Sequence, residues 1–508
     1  MNRYILILPA VLGFIIGGCS LAPEYVQPRA PIPDQWPQGE AYLDTAAQPE
    51  GAMAAELGWH EFFDDARLRE IIGIALANNR DLRLAALNVE RARALYGIQR
   101  AELFPSVDAA ASGGKQRLSA DLIGSGESRT REQYGVDLGI VAWEIDFFGH
   151  IRSLKDQALE EYLATDEARR SAQIALIAEV ARAYLALAAD RENLQLAAST
   201  LEAQQSSYAL ADKLFNAGVG NKLDLKRAQI PVETARGDVA RFTQLVAQDR
   251  NALDLLAGTP VPEKLLPADL ASMSPLRDVF PGLPSETLLR RPDIMAAEHR
   301  LKGAHAIIGA ARAAFFPRIA LTTSVGTASD DISGLFGSGT GTWSFTPQIV
   351  MPIFDARIRA AYRVSKADRE IALTRYERTI QTAFREVADA LAVQGTIDLQ
   401  VSAQEALLDA VTETYRLSEE RYTSGVDSYL GVLDAQRSRF AAQQGLVSLH
   451  LARLANRVRM YEVLGGGVSS EALMRNSEKS MAGEEGRPPH QRTEMSTRMP
   501  AGSPPASP

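Results

Sequence analysis

Two opposite charges, Asp434 and Arg437, lie three residues apart near a glycine turn in the second half of the chain. On a helix, that spacing puts both side chains on one face, with Leu430 one turn earlier. The same segment occurs earlier at a constant offset of 207 residues, with Arg227 and Ile230 in place of the two charges. Such a pair either locks two surfaces together by charge or is an ordinary solvated pair, and the residues alone leave both possibilities open.

Other residue types that carry chemistry form no recognisable site. The six histidines show no metal-ligand spacing, and the sequence holds no phosphate-binding loop and no nucleophile motif. His299 and His305 are six residues apart, which is a poor match to one helical face. We therefore predict that the chain is not an enzyme and binds no metal and no dissociable cofactor. The histidines are His60, His150, His299, His305, His450 and His490.

The only cysteine, Cys19, follows a short apolar segment. Residues 4–16 are too few to span a bilayer, which takes about 20 residues in a helix, and they fit a secretory signal peptide over residues 1–18. Small residues before Cys19 resemble a bacterial lipobox, which implies cleavage there and a covalent lipid, such as palmitate, on the cysteine. Ser20 at the next position favours the outer membrane. The alternative is an ordinary signal peptide followed by a free thiol.

The composition is that of a folded chain with two extended ends. Hydrophobic residues make up 46% and charged residues 23%, as in ordinary globular proteins, and a net charge of −9 makes nucleic acid a poor partner. Residues 19–64 begin as a proline-rich strap. Residues 467–508 are rich in Ser, Glu, Arg and Pro, which predicts a disordered tail.

The rest of the chain is a tandem duplication. An offset of 212 residues aligns the segment that ends in AELFP with the one that ends in AAFFP, and an offset of 207 aligns the long stretches that follow. We predict the first repeat over residues 65–258 and the second over 285–466. A proline-rich linker, residues 259–284, separates them.

Each repeat has the same order: a helix, two alternating segments, a very long helix, a glycine tip and a returning helix. The alternating segments lie in residues 105–145 and 317–353. Their period of two over about 10 residues suits either transmembrane β-strands or a hairpin on a soluble sheet. No proline or glycine occurs between 151 and 216, and only Gly395 occurs between 357 and 424. We expect helices of about 65 residues, about 100 Å long.

Four strands per chain cannot close a barrel, and an open sheet edge in lipid would leave backbone groups unpaired. Closed membrane barrels have about eight strands or more, so two, three or four copies must share one barrel. The predicted fold is therefore an α+β membrane protein that forms an oligomeric conduit. A lipid-anchored periplasmic coiled-coil scaffold, with its strands in a soluble sheet, is the alternative from another functional class.

Several long motifs occur in a fixed order: GWHEFFDDARLREIIGIALANNRD, the pair AELFP and AAFFP, WEIDFFGHIR with MPIFDARIR, and YTSGVDSYLGVLDAQRSRF. On these motifs the chain resembles the TolC-type outer-membrane efflux proteins, most closely the lipoprotein branch typified by OprM, over residues 19 to about 466. The resemblance implies a homotrimer in which a 12-stranded β-barrel continues into a 12-helix α-barrel with an equatorial domain.

The resemblance also implies a function and partners. The chain would be the passive exit duct of a tripartite pump that exports drugs and other toxic small molecules. A periplasmic adaptor and an inner-membrane transporter of the RND class would be its partners. Type I protein secretion and metal efflux are the alternatives within export.

Residue roles follow from the same resemblance. A closable periplasmic gate maps onto Leu430, Asp434 and Arg437, with Tyr422 as an outer latch. The two turns at the helix tips are expected to contact the adaptor. These turn residues are Gly218, Val219, Gly425 and Val426.

Two local expectations concern the returning helices. Either Asp427 or Ser428 is expected to cap the second one with a side-chain oxygen. Pro231 lies inside the first one, where it removes a backbone hydrogen bond and is expected to kink the helix.

The lipobox assignment predicts that Cys19→Ser abolishes metabolic labelling of the protein with a radioactive fatty acid, because the lipid has no other cysteine to occupy. The wild-type chain expressed in the same cells is the control. A variant that keeps the label would refute the assignment.

Overall fold

The computed structural model describes residues 20–42, 57–119 and 129–466, except residues 275, 278, 280, 282 and 283. The predicted signal peptide, Cys19 and the predicted tail lie outside the described residues. The helices are α1 (Trp59–Phe62), α2 (Ala66–Asn78), α3 (Arg80–Ala101), α4 (His150–Asn216), α5 (Lys222–Ala257), α6 (Pro284–Leu288), α7 (Pro292–Ala313), α8 (Ala356–Thr423) and α9 (Tyr429–Val463). The strands are β1 (Asp108–Leu118), β2 (Arg129–Glu144), β3 (Arg318–Ser329) and β4 (Gly341–Val350).

The two halves of the chain repeat one another element by element. Helices α3 and α7 have 22 residues each, the long helices α4 and α8 have 67 and 68, and the returning helices α5 and α9 have 36 and 35. Helices α4 and α5 form one hairpin, α8 and α9 form the other, and α9 also packs along α4. The predicted tandem duplication is confirmed, and each long helix spans about 100 Å.

Helix α4 is the one described helix that is long and apolar enough to cross a membrane. Within its most apolar stretch, however, 61% of the residues are buried in the described chain. Helix α4 packs among α2, α3, α5, α7 and α9. This burial in a helical core accounts for the apolar character of α4.

The four strands form one antiparallel sheet in the order β1-β2-β3-β4, so the two strand hairpins lie side by side. Leu138 pairs with Val325, which in turn pairs with Trp343, and these three apolar residues share one face. Ser324 and Ser344 pair on the other face, with their hydroxyls 2.8 Å apart. The sheet thus has an apolar and a polar face, as the alternation predicts. Within the described chain, the outer edges of β1 and β4 have no neighbouring strand.

A β-bulge changes the expected register near the end of β2. The alternation predicts that Ala142 lies on the same face as Ile140, but the pairing shifts between Ile140 and Trp143, so Trp143 takes that position. Ala142 has a φ of 50°, and its N–H donates to Thr322 Oγ1 at 3.1 Å. Ala142 therefore departs from the period-two alternation of the rest of β2. A bulge needs one extra residue and bends the strand just before the sheet meets the helices.

The main hydrophobic core lies near the middle of the long helices, where Tyr184 of α4 is fully buried. The ring of Phe62 stacks on Tyr461 with centroids 4.2 Å apart. Trp36, from the N-terminal strap, stacks on Phe384 of α8 at 5.1 Å. This belt ties the strap and the short helices to both repeats.

Both returning helices end in the same way. Gly258 and Gly465 follow them in the left-handed conformation, with φ values of 70° and 73°. Asn79 Nδ2 donates at 3.0 Å to the backbone carbonyl two residues before Gly258. Arg291 Nη1 donates at 2.6 Å to the carbonyl two residues before Gly465. A side chain at the start of one helix thus fixes the end of another in each repeat.

In the second repeat, the side chain that fixes the end of the returning helix is charged. Arg291 is buried, and its Nη2 lies 2.7 Å from Asp293 and 3.1 Å from Glu386. One guanidinium therefore joins α7, α8 and the end of α9.

We predict that Arg291→Ala lowers the free energy of unfolding by about 2–4 kcal/mol, because Asp293 and Glu386 would keep their charges in a partly buried site without a cation. Asn79→Ala should cost about 1 kcal/mol, since it removes only neutral hydrogen bonds. Urea unfolding of the detergent-solubilised protein, followed by circular dichroism, measures both. Equal losses in the two variants would contradict a charged clamp.

Candidate functional site

Both helical hairpins end in the same turn. Gly218 and Gly425 have φ values of 77° and 74°, which glycine adopts without strain. The N–H groups of Val219 and Val426 each donate to the carbonyl five residues earlier, at 3.1 and 2.9 Å. This is the Schellman motif, which satisfies the last carbonyls of a helix. The four predicted tip residues thus form two matching turns, and both valine side chains are exposed.

The returning helices begin differently at the two tips. At the first tip, Asn221 Oδ1 accepts a hydrogen bond from the N–H of Asp224 at 2.9 Å, which is a regular N-cap. The prediction that Asp427 or Ser428 caps α9 is wrong. Ser428 occupies the N-cap position without a side-chain capping bond, and Asp427 instead accepts from Arg421 Nε at 2.5 Å. This hydrogen bond braces the turn and holds the pKa of Asp427 below its ordinary value.

Asp434 and Arg437 meet on one face of α9, as their spacing predicts. Arg437 Nη2 donates to Asp434 Oδ1, and both side chains are largely exposed. Leu430, one turn earlier, is exposed as well. Tyr422 lies on α8, where its ring packs against Tyr429, with the centroids 5.0 Å apart. The four residues assigned to a gate therefore stand on two adjoining helices at one tip.

A cleft of about 320 Å³ lies between α5 and α9 beside this pair, with Thr200 and Gln204 of α4 among its lining residues. Its lining includes Arg227, Ile230 and Pro231 from α5, and Leu430, Asp434 and Arg437 from α9. Sequence reasoning missed the contribution of α5. The alignment of the two repeats could have indicated it, because the offset of 207 residues makes Arg227 and Ile230 the counterparts of Asp434 and Arg437.

Helix α5 runs without interruption from Lys222 to Ala257, with Pro231 inside it. Proline removes one backbone hydrogen bond at this point. Helix α5 packs against α4 and continues on both sides of the proline. Pro231 therefore lines the cleft from within an uninterrupted helix.

The chain matches the family described as outer membrane efflux protein over residues 71–259 and 283–466. It is 48% identical over 473 residues to the antibiotic efflux pump outer membrane protein ArpC of Pseudomonas putida, which covers 93% of this chain and 97% of that protein. It is 44% identical over 459 residues to the outer membrane protein OprJ of Pseudomonas aeruginosa, with coverage of 90% and 95%.

Solved structures show the same fold. The open state of the Neisseria gonorrhoeae MtrE outer membrane channel has a TM-score of 0.80 and 38% identity, and the match covers 89% of this chain and 99% of that chain. A membrane protein from Pseudomonas aeruginosa has a TM-score of 0.82 and 43% identity, with coverage of 88% and 100%. The matched segments include both helical hairpins and the cleft between them. On these matches the predicted resemblance is confirmed, and the chain belongs to the outer membrane efflux protein family.

Proposed function

We propose that three copies of the chain form the exit duct of an efflux pump, a pore through the outer membrane that continues as a tube in the periplasm. One observation carries the proposal: a four-stranded sheet with two open edges stands at one end of two helical hairpins of equal plan. Its strands have 10 to 16 residues, and about 9–11 suffice to cross the membrane.

The chemistry of the sheet edges requires the copies to share one barrel. Strands β1 and β4 each present a row of backbone N–H and C=O groups, and each unpaired group in hydrocarbon costs several kcal/mol. Strand β4 of one copy runs antiparallel to β1 of the next, so edge-to-edge pairing closes the sheet. Three copies supply 12 strands, because each chain contributes four. A barrel of that size has room for water.

The second repeat indicates how neighbouring copies pack. Helix α7 lies between α4 and α8, whereas its counterpart α3 packs on α4 and leaves its other side open. Leu84 of α3 is 58% exposed, whereas its counterpart Ala296 on α7 is 2% exposed. Ile371 of α8 is 48% exposed, whereas its counterpart Ala164 on α4 is fully buried. If the relation between repeats continues between copies, α3 of one copy covers α8 of the next.

The periplasmic end of the tube is proposed to close at Leu430, Asp434 and Arg437. Threefold symmetry would bring three Asp434 carboxylates together, and like charges repel unless cations lie beside them. Arg437 offers such a cation on the same helix. Exposed ion pairs contribute only about 0–1 kcal/mol each, so an adaptor that binds better to the open state at the tip turns would shift the equilibrium. Tyr422, packed on Tyr429, would hold the outer part of the closed tip.

The N-terminal strap supports the proposal of a lipid anchor on Cys19. Arg312 Nη1 donates at 3.0 Å to the carbonyl of Leu21, two residues from Cys19. At Gly309 the strap passes so close that an added Cβ would lie 2.8 Å from Ala22 Cβ. Both contacts are near the end of α7, next to the start of β3. The strap thus begins at the membrane end of the helices, where a lipid on Cys19 can reach the bilayer.

We further propose a periplasmic adaptor and an inner-membrane transporter of the RND class as partners. Relatives named as antibiotic, toluene and solvent efflux pump outer membrane proteins support small organic compounds as the cargo. The class of transporter encoded by the neighbouring genes tests the assignment of an RND partner. A protein-secreting ATPase or a metal pump encoded there would favour type I secretion or metal efflux instead.

We predict that the double substitution Leu84→Asp and Ile98→Asp weakens assembly, because both side chains are exposed on α3 and would put carboxylates against α8 of the next copy. Light scattering of the detergent-solubilised protein measures the mass. Arg93→Asp is the control, since it puts the same group on the side of α3 opposite Leu84. Wild-type mass in the double variant would contradict the proposed packing.

We predict that Asp434→Ala raises the open probability of single channels in planar lipid bilayers, because it removes the carboxylate that Arg437 holds. Glu413→Ala, which removes an exposed carboxylate paired with Arg416 on α8, is the matched control. A purified Asp434→Ala oligomer that conducts no current at all would argue against a duct and for the scaffold.

A further inference from the structure

The two repeats place Arg227 and Asp434 at the same level of the tube. Each residue lies nine positions beyond its tip glycine, Gly218 or Gly425, and the offset of 207 makes them counterparts. Because the two hairpins have the same plan and nearly equal lengths, counterparts stand at equal distances from the tips. The level that carries a carboxylate in the second repeat therefore carries a guanidinium in the first.

The helix order around the tube makes Arg227 and Asp434 alternate at this level. Helix α4 packs against both α5 and α9, and α9 packs against α8, which gives the order α5, α4, α9, α8 within one chain. The repeat relation puts α5 of the next copy after α8. The returning helices α5 and α9 then alternate around the whole tube, and one long helix separates each from the next.

The cleft shows that Arg227 and Asp434 face a common space. Both line the same cavity of about 320 Å³, together with Thr200 and Gln204 of the intervening α4. Ile230 and Leu430 contribute apolar surface to it. Removing water from such a space strengthens the attraction between opposite charges on its two walls.

In the described chain, the side chains of Arg227 and Asp434 can each accommodate a further ion-pair partner. Arg227 lies 3.7 Å from Asp224, near the limit of an ion pair. Asp224 also accepts a hydrogen bond from Asn221 Nδ2 at 2.5 Å. Asp434 receives Arg437 through Oδ1, and a carboxylate can accept from a second cation through its other oxygen.

We propose that Arg227 is the counter-charge of Asp434 across the cleft, and that it sets both the strength of the closed constriction and the ion selectivity of the pore. The inference rests on the gate proposed above. At this level Asp434 and Arg227 alternate around the axis, so the constriction is a ring of alternating charge and not a ring of carboxylates alone. Such a ring disfavours neither sign of permeant ion strongly, whereas bare carboxylates would favour cations.

Single-channel recording of the purified full-length oligomer in planar bilayers, under a KCl gradient, tests the proposal. Arg227→Gln is expected to raise the open probability at least about two- to fivefold, because one exposed ion pair supplies that factor and the trimer loses three pairs. It is also expected to raise the permeability ratio of K⁺ over Cl⁻. The matched control is Lys226→Gln, which removes the same charge one residue away. Lys226 Nζ bonds Gln229 Oε1 at 2.8 Å, and neither residue is among those that line the cleft.

Pairing is tested by a double-mutant cycle with Asp434→Asn. If Arg227 acts through Asp434, Arg227→Gln leaves the open probability unchanged once Asp434→Asn is present. Two results would overturn the pairing and leave the proposed gate in place, provided that Asp434→Asn raises the open probability. In the first, Arg227→Gln changes the open probability no more than Lys226→Gln does. In the second, the effects of Arg227→Gln and Asp434→Asn on the free energy of opening are additive in the double variant. If Asp434→Asn also leaves a conducting pore unchanged, the gate fails, and this inference fails with it.

Discussion

The assembly of this protein depends on the backbone N–H and C=O groups at the two edges of its four-stranded sheet, because these groups need hydrogen-bond partners. Among the described residues of one chain, β2 and β3 are paired on both sides, whereas β1 and β4 are paired on one side. Water can satisfy such edges in a soluble protein, but hydrocarbon cannot. A sheet with an apolar face and strands of membrane-spanning length must therefore find its missing partners in other copies of the same chain. In the helical part, the exposed Leu84 and Ile98 of α3 and the exposed Ile371 of α8 likewise need a partner surface.

Duplication gives the chain a simple way to meet this requirement. Each repeat supplies one strand hairpin and one helical hairpin. In the proposed assembly, the contact between repeats within a chain is the pattern for the contact between chains. The two repeats differ, however, in where they carry charge. Asp434 and Arg437 stand where the first repeat has Arg227 and Ile230. Arg291 stands where the first repeat has the neutral Asn79.

Much of the architecture is predictable from the sequence because it depends on local and repeated signals. The absence of glycine and proline predicts the long helices, glycine marks both tips, and alternation predicts the sheet faces. The bulge at Ala142 is not predictable in this way, since it depends on the register against β3. The pairing of Asp427 with Arg421 depends on how the turn folds back on α8. Arg227 joins the site only when α5 and α9 flank α4, which is a matter of packing between repeats.

Amide hydrogen exchange of the protein in lipid vesicles measures the central claim most directly, because exchange reports whether backbone N–H groups are hydrogen-bonded. If copies share one closed barrel, the outward-facing amides of β1 and β4 should be protected as strongly as the amides of β2 and β3. Rapid exchange at the two edges, beside slow exchange in the centre of the sheet, would show an open sheet and contradict the account.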